Sequence, residues 1–113
     1  MTTDCLFCRI AAGEIPTDMV AESDGAVAFR DISPQAPTHV LVVPRKHYAN
    51  VFDLAAADAK LLSELIELAN SVAQDECDGE YRLVFNTGPL AGQSVFHVHG
   101  HVLGGKQLGW SPA

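Results

Sequence analysis

The sequence of 113 residues predicts an α+β fold, in which an antiparallel meander sheet of about five strands packs against one long helix and a short N-terminal helix. Several short runs rich in Val, Leu and Phe are bounded by turn residues, which is typical of strands. One long run places apolar residues at helical spacing. No linker-like stretch and no internal repeat divides the sequence, so we expect one domain over residues 1–113.

The first part of the chain predicts a short helix and three strands. Residues 4–12 favour an amphipathic helix, with Asp4 as its N-cap and Gly13 just past its end. The stretch MVAESDGAVAFRDI predicts two strands joined by a Ser-Asp-Gly turn. The run HVLVVP at residues 39–44 is β-branched throughout and ends in proline, which is typical of a strand buried on both faces.

The second part predicts the long helix and the last two strands. The clearest helical pattern covers residues 54–75, with Glu64, Glu67, Ser71 and Gln74 on its polar side. Its apolar stripe comprises Leu61, Leu62, Leu65, Ile66, Ala69, Val72 and Ala73. YRLVFN at residues 81–86 predicts a strand, and the loop TGPLAGQS leads from it into a histidine-rich strand.

Three histidines occupy alternate positions in HVHGHVLGG, residues 97–105. In an extended strand, alternate side chains share a face, so we expect His97, His99 and His101 on one side. The alternative is a half-buried strand whose polar face happens to be histidine, although such faces usually mix Thr, Lys, Ser and Glu. Because imidazole binds metals, attacks as a nucleophile and moves protons near neutral pH, the pattern favours a metal site, a phosphoryl-handling site or both.

The loop before these histidines is a candidate anion site. In GQSVFH, Gly92 permits close approach of the backbone to a ligand, while Gln93 and Ser94 offer side-chain donors and amides. Taken alone, this is an ordinary turn composition. His39 is a second candidate, whose role depends on whether its strand pairs beside residues 95–103.

Composition and charge exclude several classes of function. Fourteen acidic against seven basic side chains give a net charge of −7, and no Lys/Arg stripe favours an extended nucleic-acid partner. The start MTTDCLFCRI shows no basic region followed by a long apolar run, so we expect no membrane partner and a cytoplasmic location. Three cysteines are an odd number, which argues against a disulfide framework.

Two of these cysteines, Cys5 and Cys8 in CLFC, have the C-x₂-C spacing of a zinc knuckle. The alternative is two thiols packed in an amphipathic helix. Cys77, beyond the helix stripe, is predicted to be a structural or exposed thiol.

These motifs closely resemble the histidine triad proteins, in particular the Hint branch of nucleoside phosphoramidases. The family signature alternates histidine with apolar residues, and here it is His97-Val98-His99-Gly100-His101-Val102-Leu103. DISPQAPTH at 31–39, GQSVFHVH at 92–99 and LGGKQLGW at 103–110 are similar to the same branch. The one departure is Gly100, where an apolar side chain is expected, and glycine there weakens the strand.

The resemblance implies the histidine triad fold and a covalent mechanism. His99 would be the nucleophile that attacks the α-phosphorus, held in the attacking tautomer by the carbonyl of His97. His101 would contact phosphate oxygens, and His39 would support that network. The remaining implied contacts comprise Ser94, Asn86, Gly92 and Gln93 at the phosphate or leaving group, Asp31 at the ribose, and Phe7, Ile10, Phe29, Ile32 and Leu41 at the nucleobase.

The resemblance also implies a structural zinc on Cys5, Cys8, His47 and His97, no organic cofactor, and a homodimer in which each C-terminal tail reaches toward the other protomer's site. The expected activity is hydrolysis of purine nucleoside 5′-phosphoramidates. Two alternatives stay open: a dinucleoside polyphosphate hydrolase or nucleotidyl transferase of the same family, and a zinc-stabilised module that binds nucleotides without turnover.

Overall fold

The computed structural model describes residues 5–111 as three α-helices, one 3₁₀ turn and a five-stranded sheet. The helices are α1 (Leu6–Ala11), α2 (Val51–Ala57) and α3 (Ala59–Cys77), and the 3₁₀ turn is Pro89–Ala91. The strands are β1 (Met19–Glu22), β2 (Ala26–Arg30), β3 (Thr38–Pro44), β4 (Tyr81–Phe85) and β5 (Gly100–Gly104). Within this part of the chain, no helix combines the length and apolar character needed to cross a bilayer.

All neighbouring strands are antiparallel, in the order β1-β2-β3-β5-β4, which confirms the predicted α+β class. The final strand inserts between β3 and β4. In that register His39 lies opposite Leu103, and Leu41 lies opposite His101. The strand that begins with His39 is therefore the direct neighbour of the strand that contains His101.

The sheet is covered by helices on both faces, and each face has its own apolar core. On one face, Val40, Val42 and Val102 pack with the buried stripe of α3. On the other, Phe29 and Leu41 pack with Phe7 of α1. All seven residues of β3 are buried, as its continuous apolar sequence predicts. Each buried Val, Leu or Phe side chain contributes roughly 1.5–3 kcal/mol of transfer free energy.

The predicted long helix is interrupted at Asp58, so the expected start at residue 54 is wrong. The side chain of Asp58 accepts a hydrogen bond from the main-chain N–H of Leu61 and caps α3. Asn50 caps α2 in the same way, by accepting from the N–H of Asp53. An N-cap requires a non-helical backbone, and this ends α2 where α3 begins.

The buried stripe of α3 also differs from its prediction at two positions. Ile66 is 42% exposed, whereas Leu68, which the pattern omitted, is 8% exposed and belongs to the core. Glu64, predicted to face solvent, accepts a hydrogen bond from the hydroxyl of Ser23 and another from the N–H of Gly25 at 2.7 Å. These hydrogen bonds hold the β1–β2 turn against α3, and the spacing of apolar residues in the sequence cannot predict such a tertiary contact.

The N-terminal helix is shorter than residues 4–12. Cys5 is its N-cap and accepts from the N–H of Cys8, while the predicted cap Asp4 lies outside the described residues. Gly13 follows the helix with φ +78°, a left-handed conformation that glycine adopts without strain.

The histidine strand begins at Gly100, so the prediction that His97, His99 and His101 lie along one extended strand is wrong for the first two. The ladder ends because β4 stops at Phe85, opposite Gly100. Just before that point, the N–H of Val98 donates to the carbonyl of Tyr48 at 2.7 Å instead of to a strand. The alternation of faces nevertheless continues through this segment, since Val98 and Val102 both pack in the α3-side core. His97 and His99 both contact Phe7 of α1, and the ring of His101 packs on His99, so the predicted shared face of the three histidines is confirmed.

Packing against β4 explains why glycine occupies position 100. A β-carbon at this position would lie 2.9 Å from Cζ of Phe85 and 3.0 Å from Cδ1 of Leu83. The neighbouring strand therefore supplies the apolar volume that Gly100 lacks.

We expect Gly104→Ala to destabilise the fold by about 1–3 kcal/mol, the usual cost of overpacking. Its new β-carbon would lie 2.7 Å from Sγ of Cys77 and 3.0 Å from the carbonyl oxygen of Glu80, which is main chain and cannot rotate away. Gly100→Ala is the matched control, since it meets only side-chain atoms and should cost less. Urea unfolding measures both, and equal losses would contradict this account.

Candidate active site

His99 is held against the irregular segment before β5. Its Nδ1 lies 2.9 Å from the main-chain carbonyl oxygen of His97. A carbonyl only accepts, so Nδ1 carries the ring proton and Nε2 keeps its lone pair. The ring is 8% exposed and packs edge-on against Phe7, with centroids 4.9 Å apart. Burial lowers the pKa of His99, which keeps the imidazole neutral and its lone pair available at neutral pH.

His101 and His39 form a second pair beside it. Nε2 of His39 lies 3.0 Å from Nδ1 of His101, and the rings of His99 and His101 have centroids 5.1 Å apart. Oδ2 of Asp31 lies 3.4 Å from the same Nε2 of His39. Burial lowers the pKa of His101 to about 4. The structure thus brings four predicted site residues, Asp31, His39, His99 and His101, into one connected group.

The glycine loop before the histidines is braced by Gln93. Its side-chain oxygen accepts from the N–H of Gly88 at 2.9 Å, and its amide nitrogen donates to the carbonyls of Ala49 and Val95. Gln93 is 4% exposed and its side-chain polar atoms are occupied by these bonds, so the predicted contact of Gln93 with an anion would fall to its main chain. Its polar atoms are used to shape the loop.

The other predicted loop residues stay accessible. Ser94 is exposed and Asn86 is half-buried. Gly92 has φ +93°, and a β-carbon there would lie 3.9 Å from Nδ2 of Asn86. The loop between Asn86 and Gly92 therefore folds back so that these two residues lie next to each other.

The predicted base-contacting residues separate into two groups. Phe7, Ile10, Phe29 and Leu41 pack together in the α1-side core. Ile32, by contrast, is 97% exposed. The buried group forms an apolar floor that meets His99 through Phe7, and Ile32 is not part of it.

Cys5, Cys8, His47 and His97 converge as the resemblance implies, with all four ligand atoms within 4.8 Å of one another. Nδ1 of His97 lies 3.3 Å from each sulfur and 3.2 Å from Nδ1 of His47. Nδ1 of His47 lies 3.3 Å from Sγ of Cys8. These four side chains form a cluster that could bind a metal ion.

The geometry of this cluster fits a tetrahedral metal. Zinc–nitrogen and zinc–sulfur bonds of ordinary length place two nitrogen ligands about 3.3 Å apart, and nitrogen and sulfur about 3.6 Å apart. The observed separations of 3.2 and 3.3 Å are close to these values. His97 is also prepared as a ligand, since its Nε2–H donates to the carbonyl of Pro44 at 2.8 Å and leaves Nδ1 unprotonated. Burial lowers the pKa of His97 to about 4, which favours the neutral, ligating form.

Asp31, His39 and His101 also bring three ligand atoms together, but they fit a metal poorly. Nδ1 of His39 accepts from the main-chain N–H of Gln35 at 3.0 Å. The proton of neutral His39 is therefore on Nε2, the atom that would have to ligate. This group is better described as a hydrogen-bond network than as a second metal site.

A cavity of about 470 Å³ opens beside the cysteine–histidine cluster and is lined by Cys5, Leu6, His47 and residues 94–96. Another, of about 550 Å³, lies between the end of α3, the start of β4 and residues 105–108, and none of its lining residues is histidine. The first cavity therefore joins Ser94 to two members of the cluster, although none of His39, His99 and His101 lines it.

Two main-chain groups are what reasoning from the sequence missed. The carbonyl of Pro44 and the N–H of Gln35 each bind one imidazole nitrogen, whereas the contact of the His97 carbonyl with His99 was implied by the resemblance. Main-chain groups have no residue-type signal. Only the proximity of DISPQAPTH to the histidine strand could have indicated the N–H of Gln35.

Together, the fold and the site define a class of small α+β proteins in which histidines from two adjacent strands meet beside a glycine loop. A family model described as the HIT domain matches residues 12–108, and the chain belongs to this family. The resemblance to the histidine triad proteins is thereby confirmed.

Individual relatives agree with this assignment. The chain is 43% identical over 111 residues to the purine nucleoside phosphoramidase of Escherichia coli, covering 96% of this chain and 93% of that protein. It is 45% identical over 113 residues to an uncharacterized HIT-like protein of Synechococcus elongatus, covering 99% of each. Among solved structures, a HIT family hydrolase from Legionella pneumophila superposes with a TM-score of 0.92 at 49% identity, covering 97% of this chain and 100% of that one.

Proposed function

We propose that this protein hydrolyses purine nucleoside 5′-phosphoramidates through a covalent nucleotidyl intermediate on His99. The observation that supports this most is the 2.9 Å contact between Nδ1 of His99 and the carbonyl of His97, which leaves the opposite nitrogen as a nucleophile. The similarity to the E. coli enzyme named purine nucleoside phosphoramidase, over nearly the whole chain, supports the substrate class.

The reaction would proceed in two displacements. In the first, the lone pair of His99 Nε2 forms a bond to the α-phosphorus, the phosphorus–nitrogen bond breaks, and the leaving nitrogen takes a proton to depart as an amine. In the second, water attacks phosphorus, loses a proton and releases the nucleotide, and the electron pair returns to His99. One set of phosphate contacts stabilises both transition states, because the same phosphorus reacts twice.

The surrounding residues would act on the nucleotide. Ser94, Gly92 and Asn86 lie on or beside the loop that would hold the phosphate and the leaving group. His101 would donate to a phosphate oxygen, with His39 behind it. Asp31 would accept from the ribose hydroxyls, and the base would lie on the apolar floor of Phe7, Ile10, Phe29 and Leu41, with Ile32 covering its edge.

Two alternative functions can be distinguished from this one by testing different substrates. A dinucleoside polyphosphate hydrolase or nucleotidyl transferase would cleave diadenosine polyphosphate and not phosphoramidates. A binding module would hold nucleotide without releasing an amine from a fluorogenic phosphoramidate. Release of that amine, without comparable cleavage of the dinucleotide, is the result we expect.

We expect His99→Ala to abolish turnover while nucleotide affinity changes by less than roughly tenfold, since a nucleophile acts mainly in the transition state. Rapid quench of the wild-type protein should trap one nucleotidyl group, and His99→Ala should trap none. His99→Gly offers a sharper control, because added imidazole can occupy the vacated space and restore hydrolysis. Turnover by His99→Ala near the wild-type rate would contradict the covalent mechanism.

We further propose that the cluster of Cys5, Cys8, His47 and His97 holds a structural Zn²⁺. Two thiolates and two imidazoles are the donor set that zinc prefers in closed tetrahedral sites. When bound, the ion would tie α1 to the sheet and fix His97, whose carbonyl orients His99. Reduced thiolates at Cys5 and Cys8 also agree with a cytoplasmic location, which stays a prediction.

Elemental analysis of protein purified without added metal should give close to one zinc per chain. Cys8→Ser should lower the zinc content and the melting temperature, by about 4 °C or more for each kcal/mol of stability lost. Cys77→Ala is the control, because Cys77 lies outside the cluster and packs against the α3-side core. Wild-type protein without metal, whose melting temperature is unchanged by chelator, would instead indicate two packed thiols.

We also propose a homodimer joined through β4. This strand is an edge of the sheet, and its five residues are all half-buried. Edge strands expose unpaired main-chain groups that a second strand can satisfy. On this strand, the guanidinium of Arg82 donates to the carbonyl of Gly109 at 2.6 Å. The next residue, Trp110, is 87% exposed and so packs little against its own protomer.

Light scattering at micromolar concentration should therefore give twice the monomer mass. If Trp110 reaches the partner's site, Trp110→Ala should alter selectivity among amine leaving groups while nucleotide affinity changes little. Phe52→Ala is the matched control, since Phe52 is 72% exposed on α2 and has no proposed role in binding. A monomeric protein would contradict the proposal.

A further inference from the structure

A neutral imidazole has a single N–H, so the nitrogen that carries the proton decides what the ring can offer a ligand. Burial lowers the pKa of His101 to about 4, and the ring is therefore neutral at physiological pH. If its proton is on Nδ1, the ring presents an acceptor on Nε2. If its proton is on Nε2, the ring presents a donor there, and only a donor is useful beside phosphate oxygens.

The neighbours of His39 decide between these two arrangements. The main-chain N–H of Gln35 donates to Nδ1 of His39 at 3.0 Å, so this nitrogen has no proton. Nε2 of His39 must then carry it. The carboxylate of Asp31, which can only accept when ionised, lies 3.4 Å from this Nε2 and also favours a proton there.

The same proton fixes His101. Nε2 of His39 lies 3.0 Å from Nδ1 of His101, and this contact is a hydrogen bond only if Nδ1 of His101 accepts. The proton of His101 is therefore on its own Nε2. His99 has the opposite arrangement, because its Nδ1 donates to the carbonyl of His97.

We propose that the main-chain N–H of Gln35 is a positioning group that sets the tautomers of His39 and His101, so that His101 presents a proton donor while His99 presents a lone pair. The assignment of tautomers follows from the hydrogen bonds alone. Its consequence for catalysis rests on the proposed phosphoramidate hydrolysis, where a neutral donor and a neutral nucleophile would act on one phosphate.

The loop that carries this amide is built to hold it. The N–H of Ser33 donates to Oδ1 of Asp31 at 2.7 Å, and the side-chain amide of Gln35 donates to the carbonyl of Ser33 at 3.0 Å. The N–H of Asp31 donates to the carbonyl of His39 at 3.0 Å and closes the loop onto β3. Local hydrogen bonds thus fix the amide of Gln35 relative to the ring that it contacts.

Nitrogen-15 NMR of histidine-labelled wild-type protein tests the assignment directly, because protonated and unprotonated ring nitrogens have well separated shifts. We expect His39 and His101 to carry their protons on Nε2, and His99 on Nδ1. A protonated Nδ1 in His39 or His101 would overturn the proposal. This measurement needs no variant, so it does not depend on whether a substituted loop folds.

Gln35→Pro removes the N–H and keeps the rest of the main chain, whereas Gln35→Ala keeps the N–H and removes only the side chain. We expect Gln35→Pro to give a mixture of His39 and His101 tautomers and to lower kcat about tenfold or more, with KM changed less than about threefold. Gln35→Ala should retain the wild-type tautomers. Unchanged tautomers in folded Gln35→Pro would overturn the proposal.

Failure of the tautomer assignment and failure of the proposed function give different experimental results. A wild-type protein with the expected tautomers that releases no amine from phosphoramidates would contradict the function and still support the assignment by Gln35. A protein that releases amine but carries the His39 proton on Nδ1 would contradict the assignment and leave the function supported.

Discussion

The arrangement of the site depends on one kind of interaction, the hydrogen bond between a main-chain group and one nitrogen of an imidazole. The carbonyl of Pro44 accepts a hydrogen bond from Nε2 of His97, the carbonyl of His97 accepts one from Nδ1 of His99, and the N–H of Gln35 donates one to Nδ1 of His39. Main-chain atoms are fixed by the fold and do not titrate. Chemically identical side chains thereby present different nitrogens, which is what the proposed roles of metal ligand, nucleophile and link to a donor require.

His97 links the cluster of Cys5, Cys8, His47 and His97 to His99. It contributes its side chain to the cluster through Nδ1 and its carbonyl to His99. Its ring is fully buried, so one fixed residue holds both contacts. In the proposed mechanism, a bound ion would therefore affect the orientation of His99 without any contact with substrate. The ring of Phe7, which packs on both His97 and His99, adds a second connection from α1.

Much of this arrangement was predictable from sequence, because it depends on residue type and spacing. The buried β3 and the turn at Gly25 follow from local patterns, and the convergence of Cys5 and Cys8 with His47 was implied by the family resemblance. The break of the helix at Asp58 and the exposure of Ile66 do not, since capping and tertiary contacts decide between options that periodicity leaves nearly equal. The loop contacts of the Gln93 side chain were unpredictable for a related reason, because a side-chain amide is equally suited to bind an anion or to brace a loop.

The histidine segment is the most informative, because its faces were predictable from the sequence and its backbone was not. The ladder stops at Gly100, and the N–H of Val98 is satisfied by Tyr48. Val98 and Val102 still pack in the α3-side core, while His97 and His99 both contact Phe7, so the side chains alternate as in a strand. The partners differ along the shared face: His97 meets the cysteines and His47, whereas His101 meets His39. Position along the chain, and not a change of face, therefore divides these histidines between two groups.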